Sequence, residues 1–163
     1  GASDITQGLP RVQELFEAAR LAPDIHFVLA GDSNRARGRH SIGVHPDNVI
    51  FPGYLSGAEL DWAIASADAV LALTKLEDAQ LSSAGEAIGA GRPMVLSDTP
   101  VTRDLYYKGG IFVDTHSAAS IAMGCRAAIE GSTRLAAESV ALREERFVRW
   151  RSQADAISEV LAL

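Results

Sequence analysis

Five short runs, "IHFVLAG" at 25–31, "NVIFPGYL" at 48–55, "DAVLALT" at 68–74, "PMVLSD" at 93–98 and "GIFVD" at 110–114, carry apolar residues side by side rather than alternately. A strand wet on one face alternates apolar with polar, whereas a strand buried on both faces reads as a near-continuous apolar run. Segments with helical spacing separate these runs. Strands of this kind alternating with helices predict an α/β domain: a Rossmann-like parallel sheet with helices on both faces.

The helical segments have their own signals. Leu9, Val12, Leu15, Phe16 and Ala19 recur at helical spacing and predict an amphipathic helix over 9–21, with Pro10 in its first turn where a missing N–H costs nothing. "SGAELDWAIASA" opens on Ser56 with Glu59 three residues on, a capping box, and turns Leu60, Ala63 and Ile64 inward. "SSAGEAIGAG" reads as a helix stopped by Gly91, with Gly89 marking close packing on the sheet. "PVTRDLYYKG" reads as a short helical connection, and "SAASIAMGCRAAIEG" as a helix. Residues 133–162 give one long helix or two, with Leu135, Val140, Leu142, Phe147, Trp150, Ile157 and Leu161 as the apolar residues. Polar, glycine-containing and without period, 31–47 is a long loop.

The 163 residues suit one domain, and 47% hydrophobic content supports a core. A net charge of -6 argues against broad nucleic-acid binding, which needs a basic face. Cys125 is the single cysteine, which excludes an intrachain disulfide and suits an intracellular, cytoplasmic protein; among small and apolar neighbours it reads as a buried structural thiol. His26, His45 and His116 show no metal-ligand spacing, so neither a metal nor a cofactor is expected.

Ligands of parallel α/β sheets bind beyond the carboxyl ends of the strands. That rule selects loops 31–35, 53–57, 74–83 and 98–104. The third contains Asp78 and leads to Glu86, eight residues on. Glu86 has two readings. With Ser83 it forms an S-x-x-E pattern, which is a capping box; alternatively its carboxylate accepts the vicinal hydroxyls of a ribose. Residues 79–83 run into a helix N-terminus, which is either a solvated turn or a place for an anion such as a diphosphate. Lys75 follows a strand end and can face that anion. The other basic cluster, Arg35, Arg37, Arg39 and His40, reads first as a solvated loop.

The block "EAIGAGRPMV" at 86–95, with an acid eight residues ahead of it, resembles the E-x7-E region of the retaining GT-B glycosyltransferases of group 1, or family 4. The flanking "DNVIFPGYLSGAELDWAIASADAVLALT" and "LSDTPVTRDLYYKGGIFVD" resemble that family's successive strands, turns and helices. The resemblance covers nearly the whole chain, as the C-terminal, nucleotide-sugar-binding half of a two-domain enzyme. It implies sugar transfer from a nucleotide-sugar donor to an acceptor, with retention of configuration. It gives Glu86 the donor's ribose hydroxyls. Asp78 then falls at the catalytic acid, with Ala79, Gln80 and Leu81 beside the transferred sugar and phosphates. Tyr54 and Leu55 fall at the base.

The same resemblance exposes departures. The first acid is Asp rather than Glu, and "AQ" stands where the family has "FG". The family's diphosphate-gripping Arg and Lys fall on Gly1 and Gln7, and its first strand is missing, because the stretch 1–8, glycine at each end, is a poor strand. The family's N-terminal domain, which carries most of the acceptor site and any membrane association, lies outside this sequence. Two alternatives follow. The chain is a degenerate GT-B-like domain serving binding or assembly without catalysis, or it belongs to a nucleotide-sugar epimerase, since related folds host that chemistry.

Overall fold

The computed structural model describes residues 12–31 and 45–161. Helix α1 (Val12–Leu21) leads to strand β1 (Phe27–Ala30), followed by β2 (Val49–Gly53), α2 (Gly57–Ser66) and β3 (Val70–Ala72). Then come α3 (Ser82–Gly89), β4 (Met94–Ser97), α4 (Pro100–Leu105), β5 (Gly110–Val113), α5 (Ala118–Glu130) and α6 (Ser132–Leu161). Each apolar run of the sequence is a strand, and every pairing is parallel.

The strands form two sheets among the described residues, β1-β2 and β3-β4-β5, with no hydrogen bond between β1 and β3. The sequence reading expected a single sheet with its first strand missing. The seam lies where such a strand would run. The expectations for Gly1, Gln7, the start of the first helix and the Arg35–His40 cluster lie outside the described residues.

One face of both sheets is covered by α1 and α5. Leu15, Phe16 and Ala19 of α1 and Ile121, Cys125 and Ala128 of α5 share one cluster with Phe27, Val49, Leu73, Val95 and Val113. At Gly124 a Cβ would come within 2.3 Å of the Val113 side chain, so only glycine lets α5 lie this close to β5. Burial pushes the Cys125 thiol up to about 11, as expected of a structural cysteine. Among the described residues, the second buried cluster lies on the opposite face of the three-stranded sheet. There Ala72, Met94 and Leu96 pack on Ala84, Ala87 and Ile88 of α3, with Tyr106 and Leu142 completing the cluster.

Local chemistry explains most element ends. Ser56 and Glu59 make the expected capping box at α2. Thr99 and Thr102 make another at α4, where Pro100 takes the first turn. Helix α3 stops in a Schellman arrangement: Gly91 has φ +64, its N–H donates to the Ile88 carbonyl, and the Arg92 N–H donates to the Ala87 carbonyl. The expected long helix after 132 is single. It is buried at Leu135, Ser139 and Leu142, and its second half carries exposed Phe147, Trp150, Ile157 and Leu161.

One local expectation holds in part and another fails. Leu60, Ala63 and Ile64 are the half-buried residues of α2 and turn inward as expected, though none of them is fully buried. Gly89 is exposed, and a Cβ there would meet nothing within 4 Å, so it does not mark close packing on the sheet. The close approach of α3 is made by Ala84 and Ala87 instead, each 0% exposed.

Candidate functional site

The site region lies beyond the carboxyl ends of β3, β4 and β5. Those ends share a feature: each apolar run closes on a hydroxyl, Thr74, Ser97 or, one residue after Asp114, Thr115, and all three are buried. The Ser97 hydroxyl accepts the Thr74 N–H at 2.6 Å and donates to the Thr74 carbonyl at 3.1 Å. Thr115 Oγ1 also donates to the Thr74 carbonyl, at 3.4 Å. Thr102 Oγ1 donates to the Ser97 carbonyl at 2.5 Å. Where the ladder of β3 runs out, side chains take over its hydrogen bonds, and buried backbone groups need such partners. The Thr74 hydroxyl then accepts the Leu76 N–H at 3.0 Å, which turns the chain outward into the loop carrying Lys75, Asp78, Ala79 and Gln80.

The far end of that loop is held as well. Tyr106 is wholly buried, and its hydroxyl donates to the Leu81 carbonyl at 3.1 Å. The Arg146 guanidinium lies 5.0 Å from the Tyr106 ring centroid, a cation–π contact. Burial raises the Tyr106 pKa, which keeps the phenol a donor. Leu81 is the N-cap of α3 and supplies no side-chain cap, so the first-turn N–H groups of Ser82, Ser83 and Ala84 carry the positive end of the helix dipole without a capping oxygen.

Glu86 is exposed and one turn further along α3. The capping-box reading fails. The helix starts at Ser82, two residues earlier than an N-cap at Ser83 requires, so Glu86 lies beyond the position from which a side chain reaches back. Its carboxylate makes no hydrogen bond among the described residues.

The other sequence candidates are distributed as follows. Asp78, Gln80 and Lys75 are exposed, while Ala79 and Leu81 are half-buried, all on the one loop that leads into α3. Tyr54, 78% exposed, and the half-buried Leu55 follow the carboxyl end of β2, in the other sheet. The described residues contain no group of three or more His, Cys, Asp or Glu able to hold a metal ion. The hydroxyls of Thr74, Ser97, Thr102 and Thr115, and Tyr106, were missed by sequence reasoning. A signal existed in the hydroxyl that ends each apolar run.

Asp98, at the carboxyl end of β4, pairs with Arg103 through two bonds of 2.5 and 2.8 Å. The Arg103 hydrogen bond lowers the carboxyl below its usual range, and the guanidinium also lies 4.7 Å from the Phe112 ring centroid. Both charges are thereby committed to the fold, which leaves Lys75 as the basic side chain of the 75–81 loop.

A family model described as "Glycosyl transferases group 1" matches residues 5–130. The processive diacylglycerol alpha-glucosyltransferase of Acholeplasma laidlawii is 30% identical over 102 residues, which are 60% of this chain and 30% of that protein. Among solved structures, Anabaena HepE in complex with UDP superposes with a TM-score of 0.70 at 20% identity, over 90% of this chain and 44% of that one. A glycosyltransferase from Rickettsia africae superposes with a TM-score of 0.68 at 14% identity, over 93% of this chain and 45% of that one. The chain therefore spans less than half the length of each of these relatives.

Proposed function

This chain belongs to the glycosyl transferases group 1 family, and on that premise we propose that it is the C-terminal, nucleotide-sugar-binding half of a two-domain GT-B enzyme. The reaction is transfer of a sugar from a nucleoside-diphosphate sugar to an acceptor, with retention. One observation carries the reading: Glu86 stands on α3 with no hydrogen-bond partner among the described residues, beside a helix start that has no side-chain cap. The carboxylate accepts the two vicinal hydroxyls of the donor ribose. The diphosphate lies against the N–H groups of Ser82–Ala84, which suit an anion, and Lys75 adds charge. Asp78 reaches the transferred sugar. The backbone of 79–81 lines the phosphates, and Tyr54 and Leu55 contact the base. Catalysis is then electrostatic: helix dipole and lysine stabilise the departing diphosphate. The acceptor comes from the other half of the fold. A UDP complex of a protein with this fold supports uridine as the base to try first.

A second reading is favoured by Ala79 and Gln80, which replace the family's "FG", and by Gln7 in the place of its lysine: the site binds a nucleotide and transfers nothing. Calorimetric titration with a panel of nucleoside diphosphates and nucleosides tests both. The enzyme reading expects a diphosphate to bind more tightly than its nucleoside, by an advantage that shrinks with added salt. Equal binding of the two removes the phosphate grip and with it the enzyme reading.

A further inference from the structure

We propose that Tyr106 is a positioning residue of the donor site: through its bond to the Leu81 carbonyl, its hydroxyl fixes the first turn of α3 in the orientation that receives a diphosphate. The inference rests on the proposed reading of the site. It adds the residue that gives the site its preference for a diphosphate over a bare nucleoside.

Helix α3 is poorly equipped to hold its own start. Helices α2, α4 and α5 each begin on a Ser or Thr whose side chain accepts a first-turn N–H. The N-cap of α3 is Leu81, which has no such oxygen. The Gly85 N–H donates to the Leu81 carbonyl at 3.4 Å, longer than an ordinary N–H bond. The Tyr106 hydroxyl donates to the same carbonyl at 3.1 Å, from 25 residues away, and is the shorter of the two bonds.

This tie differs from a cap in what it leaves over. A capping oxygen takes up the N–H groups that an anion needs. A hydroxyl bound to the carbonyl holds the same turn and takes up no N–H. The N–H groups of Ser82, Ser83 and Ala84 thus gain a fixed direction, and donors fixed in advance stabilise an anion without reorganising.

Tyr106 is itself held firmly. It is 0% exposed at the C-cap of α4, in one cluster with Ala84, Ile88 and Leu142. Arg146 of α6 donates to the neighbouring Leu105 carbonyl and lays its guanidinium against the Tyr106 ring. Burial raises the phenol's pKa, and the Gln80 side chain is among the groups whose hydrogen bonds oppose the rise. Two consecutive residues of the turn, Gln80 and Leu81, therefore converge on one hydroxyl. The far end of α3 has a hydroxyl of its own: buried Ser139 donates to the Arg92 carbonyl at 2.9 Å, just beyond the helix. The two ties hold one helix, but only that of Tyr106 is at the end that faces the site.

Tyr106→Phe and Ser139→Ala each remove one of these hydroxyls and are compared with the parent. Calorimetry gives the advantage of UDP over uridine, and NMR relaxation gives backbone order parameters without ligand. Tyr106→Phe keeps the ring and its packing. It is expected to lower the order parameters of residues 79–84 and to shrink the UDP advantage about tenfold, with uridine affinity unchanged. Ser139→Ala is expected to lower the midpoint of thermal unfolding and to leave the advantage intact. An undiminished advantage in Tyr106→Phe overturns the inference, as do unchanged order parameters or a parallel loss of UDP and uridine affinity. An equal loss of the advantage in Ser139→Ala overturns it too, since the effect is then one of general stability. The parent alone decides the underlying reading. If the parent binds UDP and uridine equally, the reading of the site falls and takes the inference with it; if the parent prefers UDP and Tyr106→Phe prefers it as strongly, the inference alone falls.

Discussion

The two sheets are built from the same kind of apolar run and end in different states. Strand β4 is buried at every residue, whereas in β1 and β2 the side chains of Val28 and Ile50 are 55% and 44% exposed. Helices make the difference. Helix α3 and the first half of α6 cover the second face of β3-β4-β5, and α2, the helix nearest in sequence to β2, has no fully buried residue. An apolar run thus specifies a strand suited to burial on both sides; neighbouring elements decide whether both sides are covered.

The largest expected contrast is in the cores. Leu96→Ala removes a side chain from the doubly covered sheet and should cost about 2–5 kcal/mol, while Val28→Ala should cost less than about 0.5 kcal/mol. Chemical denaturation of the two variants measures both, and equal costs would break the comparison. Ser97→Ala comes next. It strands the buried Thr74 N–H at the site end of the covered sheet, with an expected loss of about 1–3 kcal/mol. The two-stranded sheet has a polar device of its own. The Asn48 side-chain amide donates to the carbonyls of Ala19, Ala22 and Ile25 at 2.9, 3.0 and 2.8 Å. Asn48→Ala should cost about 1 kcal/mol, with faster exchange confined to the α1–β1 connection.

The smallest effect concerns a surface pair that ties the two regions together. Arg126 of α5 holds Asp24, before β1, through bonds of 2.6 and 2.7 Å. The Arg126 hydrogen bond lowers the Asp24 pKa from 3.8. A carboxyl depressed in the folded state contributes stability above its unfolded value, about 3.9. That contribution is lost as the pH falls through the lower folded value. Arg126→Ala should therefore lower the midpoint of thermal unfolding slightly at neutral pH, and the difference from the parent should vanish in strong acid. Both groups are well exposed, so salt should shrink it too. A difference that persists in acid would assign the effect to packing.

Much of the fold was legible because it depends on local signals. The apolar runs gave the strands, Ser56 with Glu59 gave a cap, and Gly91 gave a helix stop. What was not legible depends on where elements meet. Gly89 looked like a packing glycine, yet α3 meets the sheet through Ala84 and Ala87, a choice fixed by the helix's rotation about its axis. Ser83 with Glu86 matched a capping box by spacing, but the helix begins two residues earlier, and a shift of one or two residues is below what spacing resolves. Tyr106 gave no signal at all, because its hydroxyl finds Leu81 across 25 positions of sequence.

The most direct test of the site is Glu86→Gln, read for UDP affinity by calorimetry and for stability by denaturation on the same sample. Since Glu86 is exposed and bonds to none of the described residues, the substitution should leave stability within about 0.5 kcal/mol of the parent. UDP binding should weaken by about 1–3 kcal/mol, the range for a charged hydrogen bond lost to a ligand. Unchanged UDP affinity together with a clear loss of stability would contradict the assignment of the ribose to Glu86 and return the residue to a structural role.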